Sequence, residues 1–225
     1  MTSFRQQSGN ILFMILVAIV LIAALTYAIT RGEGGKSSMD REQAAIHAAK
    51  IVSFALDVKR AAENMTRSGK SESTISFAES HLTGYGTPDS APANEVFNIA
   101  GGGASYADIP KNINNGAQWE FSGFTAAPNV GDAATPDLML VLPNVSQAFC
   151  IAYNKKAGFA DTAAIPDDTS MCLYDTTKRF AGTFATGVDI NTMDTSTFPS
   201  ATAPAPAACV ACGSAYHAYY VLLER

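Results

Sequence analysis

The stretch that decides the fold is ILFMILVAIVLIAALTYAI, residues 11–29. Its nineteen residues include no charged side chain, and only Thr26 and Tyr27 carry polar groups. With a rise of about 1.5 Å per residue, such a helix is roughly 28 Å long, close to the ~30 Å hydrocarbon core of a bilayer. The stretch therefore predicts one transmembrane helix over residues 10–30. Its anchoring side chains would be Ile11, Phe13, Leu16, Ile19, Ile22 and Tyr27.

The flanks of this stretch leave its processing and orientation open. The alternative is a secretory signal that is cleaved near residues 26–28. Two features argue against it: the apolar run is longer than the ~7–15 apolar residues of such signals, and Arg5 is the single basic side chain before the run. Arg31, Lys36 and Arg41 follow the run and favour a cytoplasmic location for the rest of the chain, whereas the four cysteines favour an oxidising compartment. We follow the cysteines, which predicts an inner-membrane protein whose head lies in the periplasm or outside the cell.

A glycine-rich hinge and a second helix are predicted after the apolar run. Gly32, Gly34 and Gly35 disfavour helix and define a hinge over residues 31–37. A helix over residues 38–68 follows, because Asp40 and Gln43 have the spacing of a capping box. Small and apolar residues recur along it in alternating steps of four and three, which is typical of a packing face. These residues are Ala44, Ala48, Ile51, Ala55, Val58, Ala62 and Met65. We expect this face to pack on the downstream domain and other faces of the helix to contact neighbouring copies.

The remaining residues, 69–225, are predicted to form a globular head. Alternating or continuous apolar residues predict strands over 118–124, 138–142 and 216–223, and a helix is predicted from Asn144 to about Lys156. The Thr-, Pro- and Ala-rich segment 195–208 is predicted to be a surface loop. The predicted fold is thus α+β, with a long N-terminal helix broken in the middle and packed on a small antiparallel-sheet head that contains one inserted helix.

The distribution of charge argues against binding of nucleic acid by the head. Residues 71–225 carry six basic and fifteen acidic side chains, a net charge of −9. A surface of that charge repels phosphate backbones.

The four cysteines, Cys150, Cys172, Cys209 and Cys212, allow three pairings. A bridge from Cys150 to Cys172 would join the inserted helix to a following strand. For the pair Cys209 and Cys212, a loop-closing disulfide, a metal site and a redox motif are all open, and the expected oxidising compartment favours the disulfide.

No catalytic constellation is evident in the sequence. The histidines at positions 47, 81 and 217 are scattered, and neither a G-x-S-x-G nor an H-E-x-x-H motif is present. Gly101–Gly103 lacks the lysine of a phosphate-binding loop. We therefore expect no enzymatic activity, no cofactor and no metal.

The N-terminal organisation resembles that of type IV pilin-like proteins, a class that includes pseudopilins. Residues 1–9, MTSFRQQSG, are similar to the polar leader of that family, and the stretch around Cys150 is similar to a cysteine-bearing helix in its heads. The resemblance implies that prepilin peptidase would cleave after Gly9, which would make Asn10 the new N-terminus. Met14 stands where the family usually carries glutamate, a departure known among minor tip subunits.

Two functions follow as expectations. The first is a structural subunit, of the main or the minor tip kind, of a type IV pilus-like or pseudopilus filament, with other copies or related pilin-like subunits and membrane lipid as its partners. The alternative is a single-pass, membrane-tethered binding protein of the cell envelope that does not form filaments. A redox enzyme that uses Cys209 and Cys212 is a third hypothesis.

Overall fold

The computed structural model describes the backbone of residues 9–31, 34–159 and 164–225, and the side chains of residues 13–24, 42–159 and 164–225. The chain divides into two compact units, Met1–Asp40 and Arg41–Arg225. The second unit is the head.

The described part of the chain contains three α-helices. They are α1 (Gly9–Arg31), α2 (Gly34–Arg67) and α3 (Gln147–Lys156). Helix α2 begins four residues before the predicted Ser38, and Gly34 and Gly35 of the predicted hinge lie inside it. It ends where the sequence indicated, because Gly69 adopts a positive φ of 88°, a conformation that side chains other than glycine rarely adopt.

The membrane prediction is corrected by the helices. Within the described residues, we find no helix whose length and apolar character would let it cross a bilayer. This finding overturns three predictions. They are the transmembrane helix over residues 10–30, the single-pass pilin-like membrane protein and the inner-membrane location.

The head contains one curled five-stranded sheet in the order β3-β1-β2-β5-β4. Its strands are β1 (Glu120–Ala126), β2 (Asp137–Leu142), β3 (Asn191–Thr192), β4 (Ala207–Cys212) and β5 (Ala215–Leu223). Strands β1, β2, β5 and β4 pair antiparallel, whereas β3 pairs parallel to β1. The predicted strands at 138–142 and 216–223 are confirmed, with β2 and β5 each beginning one residue earlier.

The predicted fold class is wrong in two respects. The sheet is mixed rather than antiparallel, because the short polar strand β3, which carries no hydrophobic pattern, joins β1 in parallel. In the part of the chain that the structure describes, no single long N-terminal helix packs on a small sheet either. Two separate helices, α1 and α2, are present instead, and their residues are divided between two units.

Both faces of the sheet are buried. Leu138, Leu140 and Leu142 of β2 belong to a large cluster that also contains the buried face of α2 and residues of α3. Met139 and Val141 point to the opposite face and pack against loop residues that include Leu173, Met193 and Phe198. The period of two along β2 thus separates two hydrophobic layers, which explains the continuously apolar sequence of this strand.

The outer edge of β4 is covered by other parts of the head. The Asn154 side chain of α3 donates to the Cys209 carbonyl (2.9 Å) and accepts from the Cys209 amide (2.6 Å), as a neighbouring strand would. Farther along, Ala211 donates to the Pro166 carbonyl and accepts from the Asp168 amide, both at 2.8 Å. The covered edge is unavailable for pairing with a strand of another chain.

Candidate functional site

An exposed apolar surface on α1 is the most prominent feature of the first unit. It consists of nine large side chains, whose exposed fractions range from 38% at Val17 to 67% at Met14. They are Phe13, Met14, Ile15, Leu16, Val17, Ile19, Val20, Leu21 and Ile22, and we call them the α1 apolar surface. Burying one such side chain on average contributes about 1.5–3 kcal/mol, so the surface favours association strongly.

The α1 apolar surface surrounds the helix on all sides. Successive residues of an α-helix are rotated by about 100°, so ten consecutive positions sample every direction around the axis. Between Phe13 and Ile22 the sequence has no polar residue to form a solvated stripe. A helix that is apolar all round is typical of an environment in which several neighbours surround it.

The predicted anchoring residues lie on this surface where their side chains are described: Phe13, Leu16, Ile19 and Ile22 are each more than half exposed. The side chains of Ile11 and Tyr27 lie outside the described residues, as do those of Gly9 and Asn10 at the start of α1. The predicted leader before Gly9 lies outside them altogether.

The predicted packing face of α2 is buried inside the head. All seven residues are at most 7% exposed, and they are Ala44, Ala48, Ile51, Ala55, Val58, Ala62 and Met65. The alanines bring the backbone close to its neighbours, and Phe54 beside them packs on Trp119 with ring centroids 4.8 Å apart. This face is therefore occupied by its own chain. Ile46, half exposed on another face, remains available for contacts.

The cysteines pair differently from the expectation. The disulfides join Cys150 to Cys209 and Cys172 to Cys212. Cys209 and Cys212 lie three residues apart in β4, so the pleat directs them to opposite faces and roughly 10 Å apart along the strand, too far for a bridge. The sequence did not predict β4, because the Pro-rich segment before this strand indicated a loop. The predicted loop-closing bridge and the bridge from Cys150 to Cys172 are both wrong.

A histidine accompanies the second disulfide. One side-chain ligand atom from each of Cys172, Cys212 and His217 lies within 4.8 Å of the others. His217 is buried, and its Nδ1 accepts a hydrogen bond from the Asn144 amide at 3.1 Å. The sulfurs are bonded to each other and thus are not thiolates, and Nδ1 is already engaged. In this oxidised state the three side chains lack the free donor atoms that a metal requires.

The burial of His217 predicts acid sensitivity of the head. Burial lowers the pKa of His217 from 6.5 to about 4. The unfolded chain therefore binds the proton more readily than the folded one, so the contribution is complete above pH 6.5 and decreases as the pH falls toward 4. Between pH 7 and pH 5 we expect this group to lower the free energy of unfolding by about 2 kcal/mol. Urea unfolding at both pH values measures the loss.

The His217→Asn variant is the control for that prediction. Burial raises the pKa of Asp137 to about 6, and this change acts in the opposite direction: its stabilising effect is greatest at low pH and decreases as the pH rises. Asp137 is common to both proteins, so the difference between them isolates His217. An equal pH dependence in the variant and the wild type would contradict the assignment.

A buried ion pair links β1 to the segment between α3 and β3. The Glu120 carboxylate accepts from Arg179 twice, from Nε at 2.6 Å and from Nη2 at 2.6 Å, and once from the Tyr85 hydroxyl at 2.6 Å. The Tyr85 hydroxyl in turn accepts from the Phe121 amide at 2.7 Å. Burial, reinforced by the bond to Glu120, raises the pKa of Tyr85, and the bonds to Glu120 raise the pKa of Arg179. Every charged group in this network has a partner, which is typical of a structural role.

A shallow cleft lies beside Arg179. Its lining includes Phe124, Lys178, Phe184 and Asp189. The Lys178 ammonium lies 5.1 Å from the centre of the Phe124 ring. The cleft is open to solvent.

The sequence 79–81, Glu-Ser-His, does not form a catalytic triad. Glu79 Oε2 lies 2.8 Å and Ser80 Oγ 3.2 Å from the same nitrogen, Nδ1 of His81. A triad requires the acid and the nucleophile on opposite ring nitrogens.

The network of Glu120, Arg179 and Tyr85 was missed by the sequence analysis, as was the strand-like role of Asn154. Glu120 alternates with apolar residues, a pattern that is typical of a solvent-facing position in a strand. Its partner Arg179 is 59 residues away, so no local pattern could have revealed the pair.

Comparison with known proteins returned no similarity on which to build. No protein-family model matches the chain, no curated protein matches it, and no solved structure matches it.

Proposed function

We propose that the chain is a structural subunit of a pilus-like or pseudopilus filament that assembles through the α1 apolar surface. The observation that carries the proposal is the exposure of nine large apolar side chains on every side of one helix. A single partner helix covers only one face, whereas several α1 helices from other copies would cover all of them. The other copies of this chain are therefore the partners.

The properties of the head support a passive role in such an assembly. Two disulfides join distant parts of its sequence, and the outer edge of β4 is covered. A head of this kind can be carried by each copy without forming further sheet contacts between copies. The resemblance of residues 1–65 to pilin-like proteins is consistent with the proposal.

Engineered thiols on α1 provide a direct test. All four native cysteines are in disulfides, so one added cysteine is the only free thiol in the chain. We expect the variants Leu16→Cys and Leu21→Cys, whose positions are about 140° apart around α1, each to form disulfide-linked dimers on mild oxidation of the full chain. Val188→Cys, in the head and 93% exposed, is the matched control and should not cross-link at comparable rates.

A charge on the same surface should disrupt the assembly. Leu16→Glu is expected to convert large sedimenting species into monomers, because a carboxylate between packed apolar helices costs several kcal/mol. Val188→Glu adds the same charge to the head and should leave sedimentation unchanged. A wild-type chain that sediments as a monomer, or cross-links through only one side of α1, would overturn the proposal.

A further inference from the structure

The two disulfides lie in different surroundings. Cys150 and Cys209 have no exposed surface and belong to the large hydrophobic cluster between α3 and the sheet. Cys172 and Cys212 are both partly exposed. Thiol–disulfide exchange begins when a thiolate reaches one sulfur of a disulfide, so access differs sharply between the two bridges.

The backbone around the exposed bridge places it at the rim of the head. Cys212 is the last residue of β4, and exposed turn residues follow it. Cys172 lies in an irregular segment, next to Met171, whose side chain is 40% exposed. An incoming thiol can therefore approach this bridge without opening the core.

A histidine accompanies the exposed bridge. One ring nitrogen of the buried His217 lies within 4.8 Å of both sulfurs. Since Nδ1 accepts from the Asn144 amide, the neutral ring carries its proton on Nε2. An N–H group that donates to a sulfur stabilises the thiolate that leaves when a bridge is broken, and the neutral His217 ring next to this bridge has one such group.

We propose that Cys172–Cys212 is a thiol–disulfide exchange site that accepts electrons from a dithiol, with His217 as a positioning residue, while Cys150–Cys209 is purely structural. The thiolate of the dithiol attacks the Sγ of one cysteine and forms a mixed disulfide, and the other cysteine leaves as a thiolate. The second thiol of the dithiol then displaces the first cysteine. Two electrons and two protons pass to the protein, and the dithiol becomes a disulfide.

The head keeps other connections across the site after such a reduction. The amide of Asp168 still donates to Ala211 of β4, and the amide of Met171 donates to the Asn191 side chain at 3.0 Å. The buried Cys150–Cys209 bridge is also untouched. The reduced form is therefore a folded head with two thiols beside a neutral imidazole.

Differential labelling of the native full chain tests the proposal. The protein is treated with limiting dithiothreitol, alkylated at intervals without denaturant and mapped by peptide mass spectrometry. We expect Cys172 and Cys212 to be alkylated at least about tenfold faster than Cys150 and Cys209, because exchange follows access to the sulfur. Equal rates, or simultaneous labelling of all four cysteines, would overturn the proposal.

A histidine variant tests the role of His217 separately. His217→Gln should slow the reduction of Cys172–Cys212 at pH 7 and leave the reduction of Cys150–Cys209 in unfolded protein unchanged. His81→Gln, at an exposed histidine elsewhere, is the matched control. An unchanged rate in a folded His217→Gln protein would remove His217 from the proposal, and the wild-type comparison of the two bridges decides the exchange site even if that variant fails to fold. Neither readout depends on filament assembly.

Discussion

The variant Glu120→Ala is expected to lose about 3 kcal/mol of unfolding free energy at pH 7, because removal of one partner of a buried ion pair leaves the other charge buried and unpaired. The Arg179 guanidinium loses both of its bonds to the carboxylate, and the Tyr85 hydroxyl loses its acceptor. The side chain of Arg179 is 25% exposed and regains some hydration, which places the loss at the lower end of the usual range. Chemical denaturation of the full chain, followed by tryptophan fluorescence, measures it through the buried Trp119.

The same substitution at Glu63 is the matched control. Glu63 also has two cationic partners, Arg67 at 2.8 Å and Lys59 at 3.6 Å, but this network is on the surface of α2. We expect Glu63→Ala to cost less than about 1 kcal/mol. The double variant Glu120→Ala/Arg179→Met removes the unpaired charge and should recover part of the lost stability. A Glu120→Ala protein as stable as Glu63→Ala would contradict the assigned role of the network.

The parts of the fold that the sequence could predict are those with a local signal. The alternating steps of four and three in α2 predicted a buried face, and its seven residues are buried, because helical periodicity is a property of neighbouring residues. The apolar run 138–142 predicted β2 for the same reason. Ser146, which accepts a hydrogen bond from the Phe149 amide, caps α3 two residues after the predicted Asn144.

The parts that the sequence could not predict depend on distant residues. Strand β4 has an alanine- and cysteine-rich sequence with no alternation of apolar and polar residues. Its extended conformation depends on the antiparallel pairing with β5, which no local pattern reveals. The partners of Cys209 and Cys212 depend on this strand, because its pleat directs the two side chains to opposite faces of the sheet. The burial of Glu120 depends in the same way on Arg179, in a segment without regular structure.

The α1 apolar surface shows the limit of composition as a guide to environment. Residues 11–29 have the apolar character of a membrane segment, yet the same character is required of a helix surrounded by other helices. Composition alone therefore does not separate lipid from protein as the neighbour of α1. The proposed test therefore places thiols at Leu16 and Leu21, because cross-linking at these positions reports directly on contact with a second copy of the chain.

Removal of the buried bridge is expected to have the largest effect on stability. The Cys150→Ala/Cys209→Ala variant frees a loop whose ends are 59 residues apart in sequence, and the chain-entropy relation gives a loss of about 4 kcal/mol. The two sulfurs also leave a cavity in the hydrophobic cluster, since neither cysteine has exposed surface. Thermal and urea unfolding of the double variant measure the sum of the two contributions.

The Cys172→Ala/Cys212→Ala variant separates loop entropy from packing. Its cysteines are 40 residues apart, so loop closure differs from that of the buried bridge by only about 0.3 kcal/mol. If entropy alone matters, the two double variants have nearly equal stability. We expect instead that the buried pair costs about 1 kcal/mol more, because only its removal empties space inside the core. A larger loss from the exposed pair would show that the segment around Cys172 contributes more to the fold than α3 does, and that the exposed bridge cannot be opened in a folded head.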